Sequence, residues 1–165
     1  MAETTTDRTY PLIEAHPRAI VVHCGDPRFQ KAFADFIRNE LQLQEGEYIP
    51  FVVSGAVASL SEPLKLPKEF KFMKERIELF LERFDTINRV VLINHEDCRH
   101  YEMMKSVLGK AFLQHVSHMS ERHVRDLKAV AKLLLGYASA HHQIELYYAR
   151  ITPEKSVRFE KVPLT

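Results

Sequence analysis

Two kinds of hydrophobic pattern alternate along the chain. Short apolar runs rich in β-branched residues, at positions 19–22 and 89–93, predict strands that are buried on both faces of a sheet. Further strands are predicted at 48–53 and 143–151, and the alternating segment 156–162 predicts a strand at an exposed edge. The sequence therefore predicts five strands.

Between the strands, apolar residues recur every three or four positions, which is the spacing of amphipathic helices. The first helix is predicted to begin with Asp26 as its N-cap and Pro27 in its first position, and to run to about residue 43. A second helix is predicted over 68–84. Residues 98–140 lack proline and are predicted to be helical with one interruption.

Strands that alternate with helices favour an α/β fold with a mainly parallel central sheet flanked by helices. We expect the strand order 2-1-3-4-5. The few residues around 152–155 are too short for a parallel crossover, so strand five is predicted to be antiparallel to strand four.

Length and composition fit a single globular domain. The chain has 165 residues, of which 45% are hydrophobic and 27% charged. We expect a polar N-terminal arm over 1–17 and one domain over 18–165. A formal net charge of +1 without a block of like charge gives no reason to expect a nucleic-acid partner.

The location is predicted to be cytoplasmic, with no membrane partner. The first residues lack the apolar core of a secretory signal, and no apolar run approaches the roughly 18 residues of a spanning helix. The two cysteines are too sparse for a disulfide framework, and a reducing compartment favours metal-binding or catalytic roles for them.

Potential metal ligands follow two strands that the predicted order makes neighbours. Cys24 ends the first strand, while His95 ends the third and Cys98 comes three residues later. Ligands of open α/β sheets bind beyond the carboxyl ends of the strands, where strand order reverses. Three protein ligands with one open position are typical of catalytic zinc, so the geometry permits a Zn²⁺ site.

Each of these residues also has a purely structural interpretation. A lone buried cysteine is often only part of the core, and Asp26 is accounted for equally well as a helix cap. His115, His118 and His123 are interpreted either as a second metal cluster or as a helix surface, with the surface favoured. Dinucleotide, Walker and nucleophile-elbow motifs are absent from the sequence.

Two motifs resemble those of the β-class carbonic anhydrases. Residues 24–28, Cys-Gly-Asp-Pro-Arg, resemble the Cys-x-Asp-x-Arg motif of that family, and residues 95–98, His-Glu-Asp-Cys, resemble its His-x-x-Cys motif. The likeness runs from about residue 18 to residue 162, and each motif follows a predicted buried strand. The chain is thus similar to a divergent, minimal-length member of the family.

The resemblance implies a site and a reaction. Zinc would be bound by Cys24, His95 and Cys98, with Asp26 and Arg28 as a catalytic dyad. In that family a zinc-bound hydroxide attacks carbon dioxide to give bicarbonate, the Asp accepts a hydrogen bond from the hydroxide, and the Arg holds the Asp. Some members instead use the Asp as a fourth zinc ligand. The resemblance also implies a homodimer or a higher oligomer.

Three departures from the family pattern keep two other functions open. Arg99 and His100 follow the second motif where the family has glycine, Ser54 begins the loop where the family has Arg-Asn-Ala-Gly, and the family's substrate-side glutamine is missing. The first alternative is a non-catalytic, zinc-stabilised binding or regulatory module. The second is a related hydrolase of carbonyl sulfide or carbon disulfide.

Overall fold

A computed structural model describes residues 9–108, 118–136 and 142–164, with ten helices and strands in these ranges. In chain order they are β1 (Ala19–Cys24), α1 (Gln30–Asn39), β2 (Tyr48–Val53), α2 (Ala58–Ser61), α3 (Pro67–Arg83), β3 (Arg89–His95), α4 (Arg99–Leu108), α5 (Met119–Leu135), β4 (Gln143–Ile151) and β5 (Val157–Val162).

The strands form one sheet with the order β2-β1-β3-β4-β5, which confirms the predicted topology. All neighbouring pairs are parallel except β4 and β5, which are antiparallel as predicted from their short connection. β1 pairs with β2 on one side and with β3 on the other, so the carboxyl ends of β1 and β3 lie side by side.

Alternate residues of the central strands face two separate cores. On one face, Val21 and Ile93 pack with Phe33, Phe36 and other apolar residues of α1 and its surroundings. On the other face, apolar residues of β1 and β3 pack against α2, α3 and α5; they are Ile20, Val22, Val90 and Leu92. This double burial explains why β1 and β3 are apolar at almost every position.

The first helix begins later than predicted, and Asp26 does not cap it. α1 starts at Gln30 with Phe29 as its N-cap, and residues 27–29 form a turn. The Asp26 carboxylate accepts hydrogen bonds from the backbone and side chain of Arg28 instead. The prediction of a helix from Pro27 was therefore wrong, because residues 27–29 form a separate turn before α1.

Several other predictions concern residues that lie, in whole or in part, outside the described ranges. The predicted interruption of the 98–140 helix and His115 fall at or within residues 109–117, outside the described residues. The division into an arm over 1–17 and a domain stays a prediction. Within the described ranges, the helices are all too short or too polar to cross a membrane.

Candidate metal centre

The three predicted ligands meet at the carboxyl end of the sheet. Cys24 is the last residue of β1, His95 is the last residue of β3, and Cys98 lies in the turn before α4. Their ligand atoms all lie within 4.8 Å of one another, and the two sulfurs are 3.9 Å apart. All three residues are buried. In the described part of the chain this is the one cluster of His, Cys and acidic groups placed to hold a metal ion.

This donor set fits zinc. The Nδ1 atom of His95 lies 2.8 Å from the carbonyl oxygen of Glu96, which leaves Nε2 buried and without a hydrogen-bond partner. A backbone carbonyl that accepts a hydrogen bond from the other ring nitrogen fixes the orientation of a metal-binding histidine. Two sulfurs bound tetrahedrally at about 2.3 Å would lie about 3.8 Å apart, close to the separation in the structure. Cys24, Cys98 and Nε2 of His95 would therefore hold the ion.

The two cysteines have different electrostatic environments. A hydrogen bond between the thiols lowers the pKa of Cys24 and raises the pKa of Cys98, and burial raises the pKa of Cys98 further. The backbone N–H of Gly55 also donates to the Cys24 sulfur over 3.3 Å, which favours the thiolate. Without a metal ion the centre therefore favours the thiolate at Cys24 and the thiol at Cys98.

Asp26 and Arg28 form a close ion pair beside this cluster. Arg28 donates from Nη2 over 2.7 Å to Oδ2 of Asp26, and from Nε over 3.1 Å to Oδ1 and 3.2 Å to Oδ2. The backbone N–H of Arg28 adds a bond of 3.0 Å to Oδ1. The Asp26 carboxylate is not part of the ligand cluster.

Replacing Arg28 by glutamine is expected to raise the pKa of Asp26 from about 2 towards the ordinary value of 3.8, because hydrogen bonds from Arg28 are the main cause of the shift. Because the pKa of Asp26 is lower in the folded protein than in the unfolded chain, its ionised form stabilises the fold at pH values above the unfolded pKa of 3.8. This stabilisation is lost as the pH falls through about 2. Carbon-13 NMR titration of Asp26 measures the change. The exposed Arg38→Gln is the control, and an Asp26 pKa that stays near 2 in Arg28→Gln would contradict this explanation.

A cavity of about 320 Å³ opens over the cluster. It is lined by Cys24, Gly25, Asp26, Pro27, Arg28, Ser54, Cys98, Arg99 and His100. The structure thus brings all five predicted site residues to one place, four of them on the cavity wall. Arg99 and His100, which depart from the family pattern, stand on the same wall.

Comparisons with solved structures identify the architecture. The β-carbonic anhydrase isoform I of Trichomonas vaginalis matches at 10% identity and a TM-score of 0.55, covering 94% of this chain and 87% of that one. The β-carbonic anhydrase CafA of Aspergillus fumigatus matches at 15% identity and a TM-score of 0.52, covering 92% and 77%. A tetrameric β-carbonic anhydrase of Sordaria macrospora matches at 15% identity and a TM-score of 0.51, covering 90% and 81%.

The chain has the fold of the β-carbonic anhydrases. At these identities the likeness establishes the fold alone. No family model and no curated protein matches the sequence. The function of this chain is therefore inferred from the side chains at its site.

Within the fold, the loop after β2 supports the centre in a way that the sequence did not reveal. Gly55 has φ +77°, and a Cβ atom there would lie 2.3 Å from Cδ2 of His100. His100 is held over this loop by a contact of 3.1 Å between its Nδ1 and Oγ of Ser54. Because the N–H of Gly55 donates to the Cys24 sulfur, the contact between loop and His100 helps to place that donor.

Gly55→Ala is expected to destabilise the fold by about 2 kcal/mol or more, because alanine would have to adopt the left-handed backbone conformation of Gly55 and its Cβ would clash with the His100 ring. Gly25→Ala is the matched control: a Cβ at Gly25 meets its nearest atom at 3.7 Å, and the φ of Gly25 lies outside the left-handed region. Urea unfolding measures both variants. Equal losses in the two variants would contradict the proposed role of the Gly55 conformation.

His123 fits neither of the interpretations offered for it from the sequence. It is 1% exposed, its Nδ1 lies 3.1 Å from the Tyr148 hydroxyl, and its ring packs 4.1 Å from that of Tyr101. Burial lowers the pKa of His123 to about 3. It is therefore a neutral histidine in the core, neither on a helix surface nor in a metal cluster.

Two residues of the site were missed by sequence reasoning. Asp97 accepts hydrogen bonds from Arg28, and Gly55 donates one to Cys24. The signal for Asp97 is an acidic residue between the two ligands His95 and Cys98. Nothing in the local sequence around Gly55 indicates its contact with Cys24, which depends on the pairing of β1 with β2.

Proposed function

We propose that the protein is a zinc-dependent carbonic anhydrase that reversibly hydrates carbon dioxide to bicarbonate. The observation that carries the proposal is the buried cluster of Cys24, Cys98 and the unpartnered Nε2 of His95 beside an Asp26–Arg28 pair. The β-carbonic anhydrase fold supports it.

Zinc bound by these residues would supply a water whose pKa is about 7, and hence a nucleophile at neutral pH. The proposed role of the Asp26 carboxylate is to accept a hydrogen bond from that nucleophile. Its two oxygens carry about four acceptor positions in total, and three N–H groups of Arg28 donate to them: the backbone N–H, Nε–H and one N–H of Nη2. One acceptor position is therefore left for the nucleophile.

Arg28 has two roles in this proposal. It keeps Asp26 ionised, since its hydrogen bonds lower the pKa of that carboxyl to about 2. It also engages both Asp26 oxygens, which favours a carboxylate that orients the nucleophile over one that binds the metal as a fourth ligand. We therefore propose three protein ligands and one open position.

Zinc analysis followed by stopped-flow carbon dioxide hydration tests the function. We expect about one zinc per chain and hydration above the buffer rate at pH 8 to 9. Stoichiometric zinc with no hydration would contradict the proposal. Two further assays then separate the alternatives: hydrolysis of carbonyl sulfide or carbon disulfide indicates the related hydrolase, and inactivity on every substrate indicates a binding or regulatory module.

A homodimer or a higher oligomer in the cytoplasm belongs to the same proposal. The Sordaria macrospora protein that shares the fold is described as tetrameric, and the proposed zinc site needs both cysteines reduced, which a reducing compartment favours. Light scattering of the purified protein tests the assembly. A monomer at micromolar concentration would count against it.

A further inference from the structure

Arg28 is shared between two acidic residues that come from different loops. Besides its bonds to Asp26, its Nη1 donates to Oδ2 of Asp97 over 2.6 Å and its Nη2 donates to the Asp97 carbonyl oxygen over 2.8 Å. Every terminal nitrogen of the guanidinium is thereby used. Arg28 thus connects the loop after β1 with the loop after β3.

Asp97 lies between two of the candidate metal ligands and has an uncommon backbone conformation. Its φ is +55°, in the left-handed region, which Asp adopts more readily than most other residues. In this conformation both its carboxylate and its carbonyl oxygen reach Arg28. The turn that carries His95 and Cys98 therefore also carries two acceptors for Arg28.

The Asp26–Arg28 pair leaves one end of the guanidinium open to solvent. The side chain of Arg28 is 42% exposed, whereas that of Asp26 is 9% exposed. Asp26 binds Nε and Nη2 and does not bind Nη1, so without Asp97 water would compete for that end of the guanidinium. The contacts with Asp97 restrain the exposed end of the Arg28 side chain.

We infer that Asp97 is a positioning residue: through Arg28, it holds the Asp26 carboxylate in its place beside the metal ligands. This inference rests on the proposed function and deepens it. Asp97 is 62% exposed and is absent from the described residues that line the cavity. It acts on Arg28 and not on the substrate, so its loss changes kcat and leaves KM unchanged.

Asp97→Gly tests the inference, because glycine keeps the positive φ and removes the carboxylate. Lys155→Gly is the matched control, since Lys155 also has a positive φ, +59°, in the distant turn between β4 and β5. We expect Asp97→Gly to retain zinc and to lose roughly tenfold in kcat with KM unchanged. Lys155→Gly should leave both constants unchanged. A rise in KM at constant kcat would overturn the inference.

A double-variant cycle separates positioning from a general structural effect. If Asp97 acts through Arg28 and Asp26, adding Asp97→Gly to Asp26→Asn should lower kcat no further. Losses that multiply would overturn the inference. Asp97→Asn keeps an acceptor oxygen and the backbone conformation, and should restore most of the kcat that Asp97→Gly loses.

Nitrogen-15 NMR of the Arg28 guanidinium provides a readout that needs no activity. In the wild-type protein, contacts on Nη1 and Nη2 should slow their rotation and give separate Nη signals. Asp97→Gly removes the side-chain partner of Nη1 and leaves the bonds of Nη2 in place, so the Nη1 signal should shift and broaden; an unchanged Nη1 signal would overturn the inference. If Asp97→Gly fails to fold, the same Nη1 signal is measured in the charge-reversing Asp97→Lys, which also removes the carboxylate partner of Nη1. If the wild-type protein lacks hydration activity, the proposed function fails while these spectra still decide the role of Asp97.

Discussion

Asp26→Asn is expected to lower kcat for carbon dioxide hydration by about 100- to 10,000-fold while zinc remains bound, the range typical of a positioned acid–base group. The carboxylate accepts hydrogen bonds from Arg28 on both oxygens, and an amide offers one oxygen in place of two. The NH₂ group of the new asparagine would face the Arg28 guanidinium, and the ion pair between residues 26 and 28 would be lost. The account therefore predicts a catalytic defect without a metal defect.

Asp35→Asn is the matched control for this prediction. It makes the same change of charge on α1, where Asp35 is 49% exposed and pairs with Lys31. Stopped-flow kinetics and zinc analysis of both variants check the result. Asp26→Asn with wild-type kcat would contradict the dyad, and hydration lost together with zinc would place Asp26 among the metal ligands.

His95→Gln is expected to weaken zinc binding by more than the 10- to 100-fold that loss of an outer-shell partner typically costs. The Nε2 atom of His95 is buried beside two thiols without a hydrogen-bond partner, and the proposed zinc ion would satisfy it. Without the imidazole, two sulfurs remain, too few for a zinc site of this type. Hydration should be lost together with the metal.

The exposed His16→Gln provides the control for the same substitution away from the centre. Competition with a zinc chelator measures the affinity of each variant, and urea unfolding shows whether the fold survives. His95→Gln with unchanged zinc affinity would rule out His95 as a ligand. It would also leave the unpartnered Nε2 without an explanation.

The fold could be predicted from the sequence because its strands carry strong local signals. The apolar runs of β1 and β3 reflect burial on both faces, and the short connection before β5 determines its antiparallel direction. The clustering of the candidate ligands could be predicted because Cys24 and His95 end these two strands, and parallel neighbours end at one edge of a sheet. These inferences use only periodicity and strand order.

What the sequence could not show depends on contacts between distant segments. The start of α1 was misplaced: residues 27–29 form a turn, in which Arg28 also binds Asp97 of a distant loop. The contact of His100 with Gly55 and the bond from Gly55 to Cys24 join loops that are far apart in the chain. The sequence favoured a helix surface for His123, yet its ring packs against that of Tyr101 in the core.

Anomalous diffraction at the zinc absorption edge, from crystals of the zinc-loaded protein, tests the central claim most directly. The account predicts one zinc peak about 2.3 Å from the sulfurs of Cys24 and Cys98 and about 2.0 to 2.1 Å from Nε2 of His95, with Asp26 still bound to Arg28. A peak elsewhere, or no peak within bonding distance of these three atoms, would contradict it.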